Sequence, residues 1–337
     1  MKNKVRLTVL ILAIIVLSFT VSVDYAFAEE HWAYLGGIPI GIGLAENGLI
    51  VTGFVDVITD EGAVCPARGS EILTNDVIIE VNHTPLADVR EFASLVQSAE
   101  NSITLTVKRG ERVFHVSIIP VTDTLTGLKK LGLTVKNGIN GIGTLTYVLP
   151  NGKYGALGHG IVDNDTGKTF LTDQGHIYRC KITSFHKPNA GKAGELVGTF
   201  VKRFEPLGTI DLCDRFGVYG LGNESIFNGL TKVKIGSSSQ LKLGNAYIYT
   251  TINGDTPMRY EIQIVKTRVQ NERSEKSMLI KITDPALLEQ TEGILQGMSG
   301  SPIVQNDRIV GAVTHVLLND STLGYGLYID WMLQNSA

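Results

Sequence analysis

Cysteine is scarce in this chain of 337 residues. The three present, Cys65, Cys180 and Cys213, are dispersed, odd in number and without CxxC spacing. That excludes a disulfide-stapled scaffold and argues against a structural zinc site. At most one pairing, Cys180 with Cys213, is open to them, and buried inert thiols are the plainer reading. Proline is modest, and neither an internal repeat nor a low-complexity tract occurs. No basic run or aromatic-interleaved patch appears, and the formal net charge is −3, so a partner recognised through a phosphate backbone, that is a nucleic acid, is not expected. No pair of carboxylates stands in a context for the acid and base work of a carbohydrate or wall-modifying hydrolase.

Long apolar runs are also rare. The only one stands at the N-terminus, where Lys2, Lys4 and Arg6 precede Leu7 to Val23, followed by Ala26-Phe27-Ala28 and two glutamates. A basic start, an apolar stretch and a small-x-small end make a secretory signal over residues 1–28. Cleavage after Ala28 is the favoured reading and an uncleaved signal anchor the alternative. Either way the chain beyond about residue 30 is expected outside the cytoplasm, with membrane contact only through the N-terminal segment.

What is present in quantity is glycine, 37 residues, among many Val, Ile and Thr. This composition predicts turns between short strands and a mainly β protein. The first segment, residues 37–121, opens with Ile38 to Leu44 and a strand-like Leu49 to Val55. A second strand follows around Val77 to Asn82, then a helix capped by Asp88 with Val89, Phe92, Ala93 and Val96 at helical spacing. Two strands around Gly110 close it. The second segment, residues 127–337, carries many short strands separated by Gly, Asn and Asp clusters, which fit a pair of β-barrels.

The first segment resembles a PDZ domain of the bacterial protease-associated type. The resemblance lies in Gly41-Ile42-Gly43-Leu44, in the "NDVIIEVNHTPL" string, and in the helix after it. It implies an α+β fold in which the Gly41, Ile42, Gly43 and Leu44 loop leaves amides open to a peptide carboxylate and a strand edge pairs with the peptide ligand.

The second segment holds the chemistry. Gly297-Met298-Ser299-Gly300-Ser301-Pro302 precedes a strand, a polar turn and another apolar strand. Glycines here permit the bend that exposes the Ser299 hydroxyl. They also let the amides of Gly297 and Ser299 converge on an oxyanion, worth roughly 3–4 kcal/mol per donor in acyl-transfer enzymes. The pattern looks like the nucleophile segment of chymotrypsin-like proteases. A serine nucleophile needs a base. His159, between two glycines after a strand, is the candidate, and His176, His186 and His315 are its rivals, His315 foremost. For an orienting acid, Asp163, Asp165, Asp211, Asp214, Asp255 and Asp284 are available. Asp284-Pro285 followed by Ala-Leu-Leu also reads as a helix N-cap.

Four strings occur in order: "GIGTLTYVLPNGKYGALGHGI", "KITDPALLEQTEGILQGMSGSPIVQNDRIVGAVTHV", "ND" and "GYGLYIDWML". With the PDZ-like segment and the export signal, they look like the SpoIVB peptidase family of endospore-forming bacteria. The resemblance implies a PDZ-like domain followed by a chymotrypsin-like double β-barrel serine peptidase domain, with Ser299 as nucleophile, His159 as base and Asp284 as the third member. It implies an exported sporulation serine endopeptidase of the forespore intermembrane space. Its substrate would be a membrane-bound regulator of a pro-sigma-K processing protease, with self-cleavage near the N-terminus and no metal or other cofactor. The competing reading is a non-catalytic PDZ-scaffold signalling protein on a degenerate protease fold. The intact Gly297 to Pro302 string together with His159 weighs against it.

Overall fold

The chain is organised by two unusually long strands that each serve two bodies. In the computed structural model, which describes residues 31–336 apart from 87, 163–168, 190 and 202–204, β1 (Pro39–Phe54) and β5 (Leu133–Val148) run antiparallel along most of their length. The expected export segment lies outside the described residues.

Between these two strands lie β2 (Val77–Val81), α1 (Val89–Ser98), β3 (Ile103–Arg109) and β4 (Arg112–Ile118). The far half of β1 pairs with β2 through Leu49 and Ile50, β2 pairs with β3, and β3 with β4. Helix α1 starts where its sequence predicts: the Asp88 carboxylate accepts from the amides of Arg90 and Glu91 at 2.8 and 2.9 Å. Such a cap contributes about 1 kcal/mol. Phe92 and Val96, one turn apart, enter a separate apolar core with Leu49, Ile78, Ile103 and Leu105. Asp76, 1% exposed, takes a two-pronged ion pair from Arg109 at 2.6 and 2.7 Å, which ties β3 to the turn before β2.

The near halves of β1 and β5 belong to a different body. They join β6 (Lys153–Ala156), β7 (Gly175–His186), β9 (Pro206–Thr209) and β10 (Gly217–Leu221). Numbered between them, β8 (Glu195–Phe200) forms a hairpin with the outer part of β7. The pairings run β5–β1–β7–β9, then across the Gly208–Gly222 bridge to β10, and back through β6 to β5, closing a six-stranded barrel. Ile40, Ile42, Leu145, Tyr154, Ile177 and Val218 fill it.

A second barrel follows, made of β11 (Gly244–Thr250), β12 (Met258–Thr267), β13 (Met278–Ile282), β14 (Pro302–Gln305), β15 (Arg308–Leu317) and β16 (Asp320–Tyr328). It closes in the order β11–β12–β13–β16–β15–β14–β11 around Ile248, Ile262, Ile280 and Ile303. The short helix α2 (Pro285–Thr291) precedes the Gly297 to Pro302 loop, and α3 (Ile329–Leu333) follows β16.

The expected division at residues 121–127 differs from this arrangement. Residues 39–44 already belong to the first barrel, and residues 32–337 form one compact unit. The β2–α1–β3–β4 body is thus inserted between the first two strands of that barrel. Periodicity could not reveal this, because one strand serving two cores reads the same as two strands. All three cysteines are free. Burial pushes the Cys180 thiol up to about 11 and Cys213 to about 12, so both are inert at neutral pH.

Candidate active site

The loop from Gly297 to Pro302 is held from below by apolar side chains and from one side by threonines. After α2, Glu292 and Gly293 both take positive φ and turn the chain. Ile294, Leu295 and Met298 then bury in the second-barrel core, at 2%, 1% and 0% exposure. From β5 of the first barrel, Thr144 donates its hydroxyl to the carbonyl of Gly297 at 2.8 Å, and Thr146 donates to that of Gly300 at 2.7 Å. The approach requires glycine at position 300: φ is +94°, and a Cβ there would lie 2.1 Å from the Thr144 carbonyl oxygen. Ser299 therefore stands at the seam of the two barrels.

His159 reaches the same seam through two successive left-handed residues, Leu157 at φ 68° and Gly158 at φ 73°. This conformation is costly for leucine. The buried Leu157 side chain is held against Gly143, where a Cβ would come within 2.1 Å of its Cδ2. Gly158 packs on the Thr314 methyl. The His159 Nδ1 lies 2.7 Å from the carbonyl oxygen of Gly160. A carbonyl only accepts, so Nδ1 carries the proton and a neutral ring presents Nε2 as acceptor. Burial pulls the His159 pKa down, opposed by the Gly160 carbonyl and by the charge of Glu275. The ring is neutral at pH 7.

His315, on β15, lies beside it with ring centroids 4.9 Å apart. Burial first, then His159 and Lys276, lower its pKa to about 4. Its Nδ1 is buried and has no hydrogen-bond partner among the described residues. The Ser299 hydroxyl donates to the carbonyl of Thr314 at 2.8 Å. All four residues line one open cleft of about 920 Å³, whose apolar walls include Ile142, Leu196, Leu295 and Val316.

Two amides of residues that line this cleft have no acceptor among the described residues, those of Gly297 and Ser299. Their orientation follows from peptide planarity, which points each N–H opposite the carbonyl of the residue before it. The Gln296 carbonyl accepts from Leu196 at 2.9 Å, and the Met298 carbonyl accepts from Ser301 at 2.9 Å. With both carbonyls held, both amides are directed away from them.

Residues 127–333 match the family described as SpoIVB peptidase S55. The chain belongs to that family. It is a serine peptidase of a sporulation family. No curated protein matches the chain. Among solved structures, the Rv3671c protease of M. tuberculosis aligns in its inactive form over 57% of this chain and 81% of its own, at 11% identity and TM-score 0.33. Its active form aligns over 58% and 72%, at 11% identity and TM-score 0.31. This likeness is too slight to bear on the chemistry.

Other residues of this SpoIVB-family peptidase fall where sequence reasoning did not put them. The Asp284 carboxylate is committed elsewhere: one oxygen caps α2 by accepting from Leu287 at 3.0 Å, and the other accepts from the Glu261 amide at 3.2 Å. It does not line the cleft or bond an imidazole, so the capping role is the one realised and the orienting acceptor on His159 is the Gly160 carbonyl. Gly41, Ile42, Gly43 and Leu44 do not form an open loop. They are a central strand of the first barrel, paired with Ile139–Ile142 on one side and Gly175–Tyr178 on the other. Their main-chain groups serve the ladder rather than a carboxylate. His176 lies in the barrel strand β7 and His186 at its end. Asp163 and Asp165 lie outside the described residues. The threonines at 144, 146 and 314 carry no motif that distinguishes them from ordinary strand residues, so their roles were not legible beforehand.

Proposed function

We propose that this peptidase is an exported endopeptidase acting by acyl transfer, with Ser299 as nucleophile and His159 as base. The carrying observation is that Ser299, a neutral His159 and the two acceptor-free amides of Gly297 and Ser299 border one cleft. Rotation of the Ser299 hydroxyl away from the Thr314 carbonyl offers its proton to Nε2 of His159. The oxygen attacks the peptide carbonyl, and the amides of Gly297 and Ser299 take the developing negative charge. His159 then returns the proton to the leaving amine, and water repeats the cycle on the acyl-enzyme.

In this reading the substrate is a membrane-bound regulator in the forespore intermembrane space, and its cleavage releases pro-sigma-K processing. The inserted β2–α1–β3–β4 body is a PDZ-like module that takes a peptide of the substrate or of a partner, and the chain cleaves itself between the export signal and residue 37. The order of elements in that body and its separate core support the module's part.

The test uses residues 29–337 as wild type and as Ser299→Ala. Self-cleavage is followed by mass spectrometry and the nucleophile by a fluorophosphonate probe. Labelling and cleavage confined to wild type support the mechanism, and a folded wild type that shows neither overturns it. The signalling role is tested in a sporulating host whose own copy carries Ser299→Ala: pro-sigma-K processing should stop.

A further inference from the structure

The two amides proposed to hold the oxyanion are fixed by different parts of the chain. The peptide before Ser299 is fixed within the nucleophile loop, by the bond from Ser301 to the Met298 carbonyl. The peptide before Gly297 is fixed from outside the loop. There the β7–β8 hairpin leaves the first barrel, and its end runs parallel to Gln296. The amide of Gln296 donates to the Gly194 carbonyl at 2.7 Å, and the Leu196 amide donates to the Gln296 carbonyl at 2.9 Å. Both main-chain groups of Gln296 are thus taken by the hairpin, and a trans peptide transmits that constraint directly to the Gly297 N–H.

Side chains reinforce the contact. Leu196, 4% exposed, covers Gly297 so closely that a Cβ on Gly297 would lie 3.0 Å from the Leu196 Cβ. Gly194 is itself confined: a Cβ there would meet the His186 carbonyl oxygen and the Leu295 Cδ2, each at 2.5 Å. The ion pair between Lys187 and Glu292 at 2.9 Å joins the same two segments, but both side chains are about half exposed, at 47% and 55%, so it adds little. The main-chain bonds and Leu196 dominate.

We infer that the β7–β8 hairpin is the positioning element for the Gly297 oxyanion donor, with Gly194 and Leu196 as its positioning residues. The inference rests on the acyl-transfer reading above. Without the hairpin the Gln296–Gly297 peptide is free to rotate, and the cleft keeps Ser299 and His159 but loses one of two donors. Loss of one such donor lowers the rate about 10²–10³-fold in acyl-transfer enzymes.

The experiment measures inactivation of residues 29–337 by a fluorophosphonate, separating the maximal rate kinact from the half-saturating concentration KI. Leu196→Pro removes the donor to Gln296, on the side of β8 that faces away from its hairpin partner. Leu196→Ala removes only the side chain. Leu196→Pro is expected to lower kinact about 10²-fold, with KI within about threefold and the melting curve still cooperative; Leu196→Ala should fall between it and wild type. A folded Leu196→Pro with wild-type kinact overturns the inference, as does a loss that moves KI and melting temperature in step with kinact, which marks a merely structural role. If Leu196→Pro does not fold, Gly194→Ala decides: its Cβ pushes the hairpin off Leu295, and an unchanged kinact overturns the inference equally. A wild type that is never labelled instead overturns the underlying reading of the site.

Discussion

The hydroxyl of Ser299 donates to the carbonyl of Thr314 at 2.8 Å, with no bond to the imidazole of His159. The Ser299 hydroxyl is thereby held by Thr314 and not by the imidazole. Replacing Ser299 by alanine removes a single hydrogen bond, worth about 1 kcal/mol, and leaves the glycine-built turn intact. The expected outcome is a melting temperature within a few degrees of wild type and proteolysis reduced at least about 10³-fold. Calorimetry beside a peptidase assay checks both; a variant that retains cleavage would remove Ser299 from the mechanism.

His159 and His315 share one pH signature. Burial lowers the pKa of both, that of His315 from 6.5 to about 4. A base with a depressed folded pKa is neutral in the fold while the unfolded chain takes up the proton. Its stabilising contribution is complete above 6.5, falls as pH drops from 6.5 toward about 4, and is fully lost below that. His315→Phe keeps an aromatic ring beside His159 and removes both the titration and the unpartnered Nδ1. Melting temperatures between pH 7 and 4 are expected to fall less steeply for this variant than for wild type. Its activity at pH 7 is expected to persist, which separates it from His159→Ala. A parallel loss of stability in both proteins refutes the assignment.

The acid limb of the pH–rate profile follows from His159 alone. Its pKa is below the usual histidine value because burial outweighs the Gly160 carbonyl and Glu275. The midpoint of the decline in fluorophosphonate labelling is therefore expected below pH 6.5. A midpoint at or above 6.5 contradicts the buried, neutral imidazole.

Asp284 separates what local sequence dictates from what only the fold decides. Asp-Pro-Ala-Leu-Leu predicts a helix N-cap from neighbouring residues alone, and the carboxylate does cap α2. The acid role comes only from resemblance, and its two oxygens are occupied by the amides of Leu287 and Glu261. Asp284→Ala is expected to cost about 1 kcal/mol of stability from the cap, while labelling per folded molecule stays within a few-fold of wild type. A loss near 10⁴-fold at unchanged stability, the size seen when a triad aspartate is amidated, would restore the acid role.

The strands, the capped helix α1 and the two barrels were legible because each rests on local periodicity and turn chemistry. Glycines on both sides of Ser299 and of His159 mark a backbone that must bend or approach closely, and both residues line one cleft. The insertion of the β2–α1–β3–β4 body was hidden, since Pro39 to Phe54 forms one continuous strand that buries Ile40, Ile42, Leu44 and Ile50 in one core and Leu49 and Val51 in another. The Gly41 to Leu44 stretch misled for a related reason. Alternating glycine and apolar residues suit an amide-lined loop and equally a barrel strand whose neighbours press close: a Cβ on Gly41 would lie 2.4 Å from the Phe200 ring. The hairpin contact at Gln296 joins residues about a hundred positions apart, and no local pattern announces it.

Gly300 is where the two halves of the site are joined most tightly. Its φ of +94° excludes an ordinary L side chain, and a Cβ would stand 2.1 Å from the Thr144 carbonyl oxygen and 2.5 Å from the Leu157 nitrogen. Both neighbours are main-chain atoms, so no side-chain rotation relieves the clash. The Thr144 strand holds the Gly297 carbonyl, and the Leu157 turn carries His159, so any shift that admits a methyl group moves nucleophile and base apart. Gly300→Ala is therefore expected to destabilise by more than the roughly 1 kcal/mol typical of alanine at positive φ. Labelling of the folded fraction should fall by at least about 10²-fold, as misplacement of about 1 Å does at active sites. Ser301→Ala, one residue on, keeps the glycine and serves as the control. If Gly300→Ala melts and labels like that control, the two barrels do not meet at this glycine in solution.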